Sequence, residues 1–259
     1  MGQLVRDKVI LVTGSTTGIG ESTARRIVAE GGQVMIHGRN ADRAAALAEE
    51  LGEAAAFSLG DLQDPAAPGR LVESTVERFG RLDALVNNAA LLTRSNIDNA
   101  AADLFDRQVA VNLRAPLLLS QAAVAQFRKQ GGGGHILNVG SINALGGERN
   151  LLVYSMTKGG LMTMTRNLSA YLASEGIRVN QINAGWTLTE NEKRIKVQDG
   201  SEEGWWENIP PEHAPSGRIF APEEAAAHIV FWLSDQAGPV NGSVFEIEQW
   251  PLVGQNASK

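Results

Sequence analysis

No cysteine occurs anywhere in the 259 residues, which removes disulfides, thiol nucleophiles and cysteine–zinc sites together. Basic residues are the minority, 23 against 29 acidic, so the formal charge is −6 and the pI is near 5.3. That balance argues against nucleic acid or an anionic membrane as the main partner. Long apolar runs are also missing, and no stretch approaches membrane-spanning length. The opening MGQLVRDKVILVTG lacks the apolar region of a signal peptide, and Arg6 stands where a myristoylation signal would need Ser or Thr. The expectation is a soluble, cytoplasmic protein. The four histidines are scattered and no Gly-x-Ser-x-Gly elbow is present, so nucleophile–histidine hydrolysis is poorly supported. Neither an internal repeat nor an interdomain linker is visible. A hydrophobic fraction of 43% is enough for a sizeable core, and residues 1–259 read as one domain.

What is present alternates. KVILVT, QVMIHG, AAAFSL, LDALVNN, HILNVGS, IRVNQINA and SVFEIE are short, rich in β-branched residues and bounded by turn residues, as strands are. Between them lie segments of helical length and spacing, several ending in glycine. Residues 101–130 read as one long helix, 152–176 as another, and the GGGG at 131–134 as a flexible loop. Strand–helix alternation throughout predicts a doubly wound, mostly parallel sheet of about seven strands with helices on both faces.

Two local patterns carry chemistry. VTGSTTGIG follows the first strand directly and opens a helix. There, unpaired N–H groups and the helix dipole favour an anion, and glycines let a pyrophosphate approach the backbone. The second is Tyr154, four residues before Lys158 on one helix face, where Cβ atoms are about 5–6 Å apart. An ammonium beside a phenol favours the phenolate and is expected to pull its pKa down from about 10 toward the range useful for proton transfer.

With Thr13-Gly14 ahead of it, the G-x-x-x-G-x-G spacing resembles the short-chain dehydrogenase/reductase family in its single-domain branch, which has a Rossmann-type fold. The resemblance extends along nearly the whole chain. NNAA at Asn87–Ala90 stands at the family's Asn-Asn-Ala-Gly motif, with Ala90 for the usual glycine. VNLRAP places Asn112, LNVGS places Ser141, and twelve residues separate Ser141 from Tyr154. NAGWTLT replaces the usual Pro-Gly with Ala184-Gly185, and APEEAAAHIVFWLSDQAGPVNG looks like the penultimate segment. FEIEQWPLVGQNASK lacks the familiar Asp-Gly-Gly, with Trp250 and Pro251 nearby instead.

The resemblance implies an alcohol–carbonyl oxidoreductase with a nicotinamide cofactor. Tyr154 would exchange the proton, Ser141 would hold the substrate oxygen, Lys158 would also bind the nicotinamide ribose, and Asn112 would hold a water relaying protons to Lys158. Dinucleotide contacts are implied for Gly14, Ser15, Thr17, Gly18, Ile19 and Gly20. Further contacts are implied for Asp61 and Leu62 in GDL, for Asn88 and Ala89, and for Gly185, Thr187 and Thr189. NADP(H) is favoured, NAD(H) being possible: Gly38 occupies the end of the second strand where NAD-preferring relatives keep a carboxylate. Arg39 could pair with a 2′-phosphate, helped by Asn40 and Ser15.

Residues at about 186–216 are too long and charged for a simple connector, and such loops are usually functional lids or disordered. Their mixture of cations and tryptophans, with Trp186, Asn143 and Arg149 as substrate contacts, suits a small polar molecule such as a sugar, polyol or hydroxy acid. A homotetramer is expected from the resemblance, pairing the two longest helices through residues such as Leu117, Leu118, Leu161 and Met164. The competing readings are an NAD-preferring dehydrogenase of a hydrophobic alcohol and a non-catalytic nucleotide-binding regulator on the same fold.

Overall fold

The computed structural model describes residues 3–249; Trp250 and Pro251 lie outside the described residues. Strands β1 (Val9–Val12), β2 (Gln33–Gly38), β3 (Ala55–Leu59), β4 (Ala84–Asn87), β5 (Gly134–Ser141), β6 (Ile177–Ala184) and β7 (Val244–Ile247) form one parallel sheet in the order β3-β2-β1-β4-β5-β6-β7. All seven fall on the segments expected to be strands. The helices are α1 (Gly18–Ala29), α2 (Ala41–Leu51), α3 (Ala67–Phe79), α4 (Ala102–Val109), α5 (Ala115–Gln130), α6 (Leu152–Leu172), α7 (Glu190–Gln198) and α8 (Pro222–Leu233).

Strand alternation divides the core in two, because successive side chains point to opposite sheet faces. Ile10, Val12, Val34, Ile36 and Val86 pack with Ile27 of α1 and with Ile229 and Leu233 of α8. Leu11, Met35, Leu85 and Ile136 pack with Leu71 of α3 and with Leu119 and Phe127 of α5. A sheet buried on both faces needs near-continuous apolar strands, which is why KVILV shows no polar alternation. Each fully buried Leu, Ile or Phe side chain contributes about 1.5–3 kcal/mol. Among the described residues, no helix is long and apolar enough to cross a membrane.

Three local features differ from the expected pattern. Residues 101–130 are not one helix, because a π-helical turn at Ala110–Arg114 separates α4 from α5. Pro116 explains the break: it has no N–H to donate to the carbonyl of Asn112, four residues back, and its ring would collide with it. The tetraglycine is a short connector rather than a loop, since α5 runs to Gln130 and β5 begins at Gly134. The 186–216 segment contains a helix, α7, whose N-cap Thr189 accepts a hydrogen bond from the Glu192 N–H at 3.1 Å. A third apolar cluster, Ile209, Ala214 and Ile219 with Trp186, Leu188 and Trp205, packs this segment together.

Candidate active site

The strand order reverses between β1 and β4, and a cleft of about 930 Å³ opens above the carboxyl ends of the strands there, the place where open α/β sheets bind ligands. The glycine loop between β1 and α1 forms one wall. Gly14 has φ +63°, a left-handed conformation that disfavours a side chain. Gly20 does not line the cleft; a Cβ there would stand 2.3 Å from the Gly14 carbonyl oxygen and 2.5 Å from Asn88 Nδ2, so its part is close packing of α1 under the loop. The NNAA segment is tied to the same loop. Thr13 Oγ1 accepts from the N–H groups of Asn88 (3.0 Å) and Ala89 (3.1 Å), while Asn88 Nδ2 donates to the carbonyls of Thr13 (2.9 Å) and Gly14 (3.1 Å).

His37, at the end of β2, has a part the sequence did not reveal. Its Nδ1 accepts from the Gly14 N–H at 3.1 Å, leaving the proton on Nε2 to be donated to the Gly60 carbonyl at 3.1 Å. Burial lowers its pKa, so the ring is neutral, as this bonding requires. One side chain thereby fastens the glycine loop to the β3–α3 loop that carries Asp61 and Leu62. Arg39 lines the adjacent rim.

The opposite end of the cleft holds Tyr154, Lys158 and Ser141, all buried. The Ser141 side chain hydrogen-bonds the phenol, and Asn143 donates to Ser141 Oγ from its backbone N (3.2 Å) and its Nδ2 (3.4 Å). Lys158 Nζ donates to the Val139 carbonyl at 2.6 Å and stands 5.6 Å from the centre of the Tyr154 ring. The electrostatics correct the expectation for the phenol. Burial pushes Tyr154 up to about 12, opposed by the Ser141 hydrogen bond and reinforced by the Glu192 charge. Burial likewise pulls Lys158 down to about 8. Desolvation disfavours both charged forms, and it is the leading cause of both shifts.

Gly185, Trp186, Thr187 and Thr189 complete the cleft. Trp186 is held on two sides, its Nε1 donating to Glu192 at 2.9 Å and its backbone N to Glu248 Oε2 at 3.2 Å. Its ring stacks on Trp205 with centroids 5.4 Å apart and planes 8° from parallel. Lys196 Nζ sits 5.0 Å from the Trp186 ring. Arg94, in the loop after β4, forms an ion pair with Asp199 just beyond α7.

Most residues expected at the site line this cleft: Gly14, Thr17, Gly18, Ile19, Arg39, Asp61, Leu62, Asn88, Ala89, Asn143, Ser141, Tyr154, Lys158, Trp186 and the two threonines. Five do not. Ser15 is fully buried, its hydroxyl donating to the Val12 carbonyl and accepting from the His37 N–H. Asn40 is spent as the N-cap of α2, accepting from the Arg43 N–H at 2.9 Å. Gly20 packs beneath the loop. Arg149 is exposed and lines an adjoining depression with Arg94, Lys196 and Asp199. Asn112, inside the π turn, accepts from the Leu91 N–H (2.7 Å) and donates to the Leu91 carbonyl (2.9 Å) and Thr157 Oγ1 (3.1 Å). Both of its N–H donors are committed, and its side chain braces the loop after β4 against α6. Beyond His37, the cleft also gains Arg94, Glu192, Glu212, His213 and Glu248. Of these only Glu192 had a sequence signal, the Thr-x-x-Glu capping box at Thr189.

The comparisons agree with this geometry. A family model described as enoyl-(acyl carrier protein) reductase matches residues 14–249. An uncharacterised oxidoreductase of Thermotoga maritima is 38% identical over 93% of this chain and 96% of its own. The L-rhamnose 1-dehydrogenase (NAD(P)(+)) of a Sphingomonas species is 34% identical over 95% of this chain and 96% of its own. The crystal structure of L-sorbose reductase from Gluconobacter frateurii, complexed with NADPH and L-sorbose, superposes with a TM-score of 0.90 at 30% identity, covering 97% of this chain and 99% of that one. The chain belongs to the short-chain dehydrogenase/reductase family. It is a nicotinamide-dependent oxidoreductase on a Rossmann-type fold.

Proposed function

We propose that this enzyme interconverts a secondary alcohol and a carbonyl on a small polyhydroxylated substrate. The observation that carries this reading is the buried corner where Ser141 hydrogen-bonds Tyr154 one helical turn from Lys158, facing a cleft whose other end is the glycine loop. A bound nicotinamide dinucleotide supplies or accepts the hydride at carbon. The glycine loop and the N-terminus of α1 hold its pyrophosphate, Asp61 and Leu62 its adenine, and Thr187 and Thr189 its carboxamide. In the reducing direction Ser141 Oγ donates to the substrate oxygen, and Tyr154 Oη delivers its proton as negative charge develops there. Lys158 holds the nicotinamide ribose and, as an ammonium, stabilises the phenolate left behind. Protons return to it through a water held in the π turn around Asn112.

Polar groups around the corner support the substrate class, as do the sugar substrates named for the L-rhamnose dehydrogenase and the L-sorbose reductase. Assaying polyols, aldoses and ketoses against hydrophobic ketones, by nicotinamide absorbance, tests it; activity confined to the hydrophobic set overturns it.

NADP(H) is the proposed preferred cofactor, since Gly38 ends β2 without a carboxylate and Arg39 stands at the rim. Arg39→Ala is expected to weaken NADPH binding about tenfold, the scale of one charge-assisted contact at an exposed site, and to leave NADH binding unchanged. Fluorescence titration with both cofactors decides; equal losses for both refute the assignment.

The chain is further proposed to be one domain in which the 186–216 segment is the substrate lid, and to act in the cytoplasm as a homotetramer. Leu117, Met156 and Tyr171 on α5 and α6 are exposed and available for a helix-pairing interface, whereas Leu161 is buried inside the protomer. Light scattering that finds a stable monomer at micromolar concentration rules the tetramer out.

A further inference from the structure

We propose that Glu192 selects neutral substrates over carboxylates by accepting a hydrogen bond from the hydroxyl next to the reacting carbon. The inference rests on the polyhydroxylated substrate class proposed above. Glu192 lies in the first turn of α7, and Thr189 fixes that turn by capping its N–H. Its carboxylate is aimed by a second bond, from Trp186 Nε1 to Oε1 at 2.9 Å. That leaves Oε2 as an acceptor on the cleft wall with no hydrogen-bond donor from the described residues. Glu192 lines the cleft together with Ser141, Asn143 and Tyr154, and its charge acts on the phenol. A carboxylate accepts and cannot donate, which matches a sugar hydroxyl and repels an acid.

The surrounding charges reinforce the selection. Glu212 and Glu248 also line the cleft. The cations near them are already engaged: Arg94 by Asp199, Lys196 against the indoles of Trp186 and Trp205, and Lys158 at the Val139 carbonyl. His213 also lines this wall, and His37, Arg39 and Asp61 line the cleft toward the glycine loop. Among the described residues, a substrate carboxylate placed beside Ser141 would face Glu192, Glu212 and Glu248, while the Arg94 guanidinium is held by Asp199 and Arg39 lies toward the glycine loop.

Glu192→Gln is the discriminating variant, because glutamine keeps the acceptor for Trp186 and removes the charge. Wild type and variant are to be assayed with D-fructose and L-sorbose and with 2-keto-D-gluconate as the anionic counterpart. The wild type is expected to favour the neutral ketoses. In the variant that preference should fall by about tenfold, the scale of one lost charge-assisted contact, through a raised KM for the ketoses and a lowered one for the acid. The alkaline limb of the oxidative pH profile should also move to lower pH, since the Glu192 charge no longer holds the phenol up. An unchanged preference together with an unchanged profile overturns the role of Glu192 while leaving the substrate class standing. A wild type that ignores ketoses and reduces hydrophobic ketones removes the substrate class, and the Glu192 proposal with it.

Discussion

Tyr154→Phe is expected to lower turnover about a thousandfold while dinucleotide affinity stays within about twofold, since a positioned general acid is worth roughly 10²–10⁴ in rate. The substitution deletes one hydroxyl from a side chain already buried in the protein interior, so little volume is lost and the ring still packs against Lys158. Ser141 loses its phenolic partner but keeps the two donors from Asn143, so the corner should hold its shape. What disappears is the proton that the proposed mechanism delivers from the phenol to the substrate oxygen. Because burial holds the phenol near 12, the residue is a reluctant base, and oxidation should depend on the positive charge of the oxidised nicotinamide and of Lys158 to make it competent. The variant's kcat in both directions, with dinucleotide titrations, is the measurement; near-normal turnover would show that the proton comes from elsewhere.

Lys158→Met should abolish measurable turnover and at the same time make the protein harder to melt. The ammonium sits in a site that pulls its pKa down to about 8 by burial, so holding it charged at neutral pH costs on the order of 3 kcal/mol. Methionine fills similar space without that cost, but forfeits the hydrogen bond to Val139, worth on the order of 1–2 kcal/mol. The net gain of on the order of 1–2 kcal/mol corresponds to a rise in Tm of about 2–6 °C for a chain of this size. The sign has a pH signature. Between the folded value near 8 and the ordinary lysine value of 10.5, the unfolded chain binds the extra proton, so wild-type stability climbs with pH through that window. The advantage of the methionine variant should therefore shrink from pH 8 upward. Calorimetry across that range checks it, and a variant that melts lower at neutral pH contradicts the account. Function would then be maintained at this position against stability.

The inner strands were legible because they are buried on both faces, as in the apolar run VILV of β1, while the half-exposed edge strands β3 and β7 were marked by the turn residues that bound them. The corner proposed as catalytic was legible in two ways: the Tyr154–Lys158 pair is local, lying within one helical turn, and Ser141 came from the motif order that resembles the family. What escaped depended on tertiary approach. Nothing in QVMIHG shows that His37 will lie against the Gly14 N–H, since that contact exists only once β1 and β2 pair. The consumption of Asn112 by Leu91 and Thr157 follows from the π turn, whose cause, Pro116, was in view but was overridden by the helical periodicity around it. The phenol was misjudged for a related reason. Sequence spacing supplied the ammonium, but the depth of burial that holds the phenol up is a property of the packed fold.

The tryptophan pair on the cleft wall has a consequence of another kind. Indoles held nearly parallel with centroids 5.4 Å apart are close enough for their electronic transitions to couple, and a twist between their in-plane transition axes would give that coupling its own circular dichroism couplet. Trp186 lines the cleft, and Trp205 belongs to the segment proposed as the lid. Any rearrangement that parts the two rings would weaken that coupling, so the unlabelled protein would carry an optical record of movement in the proposed lid.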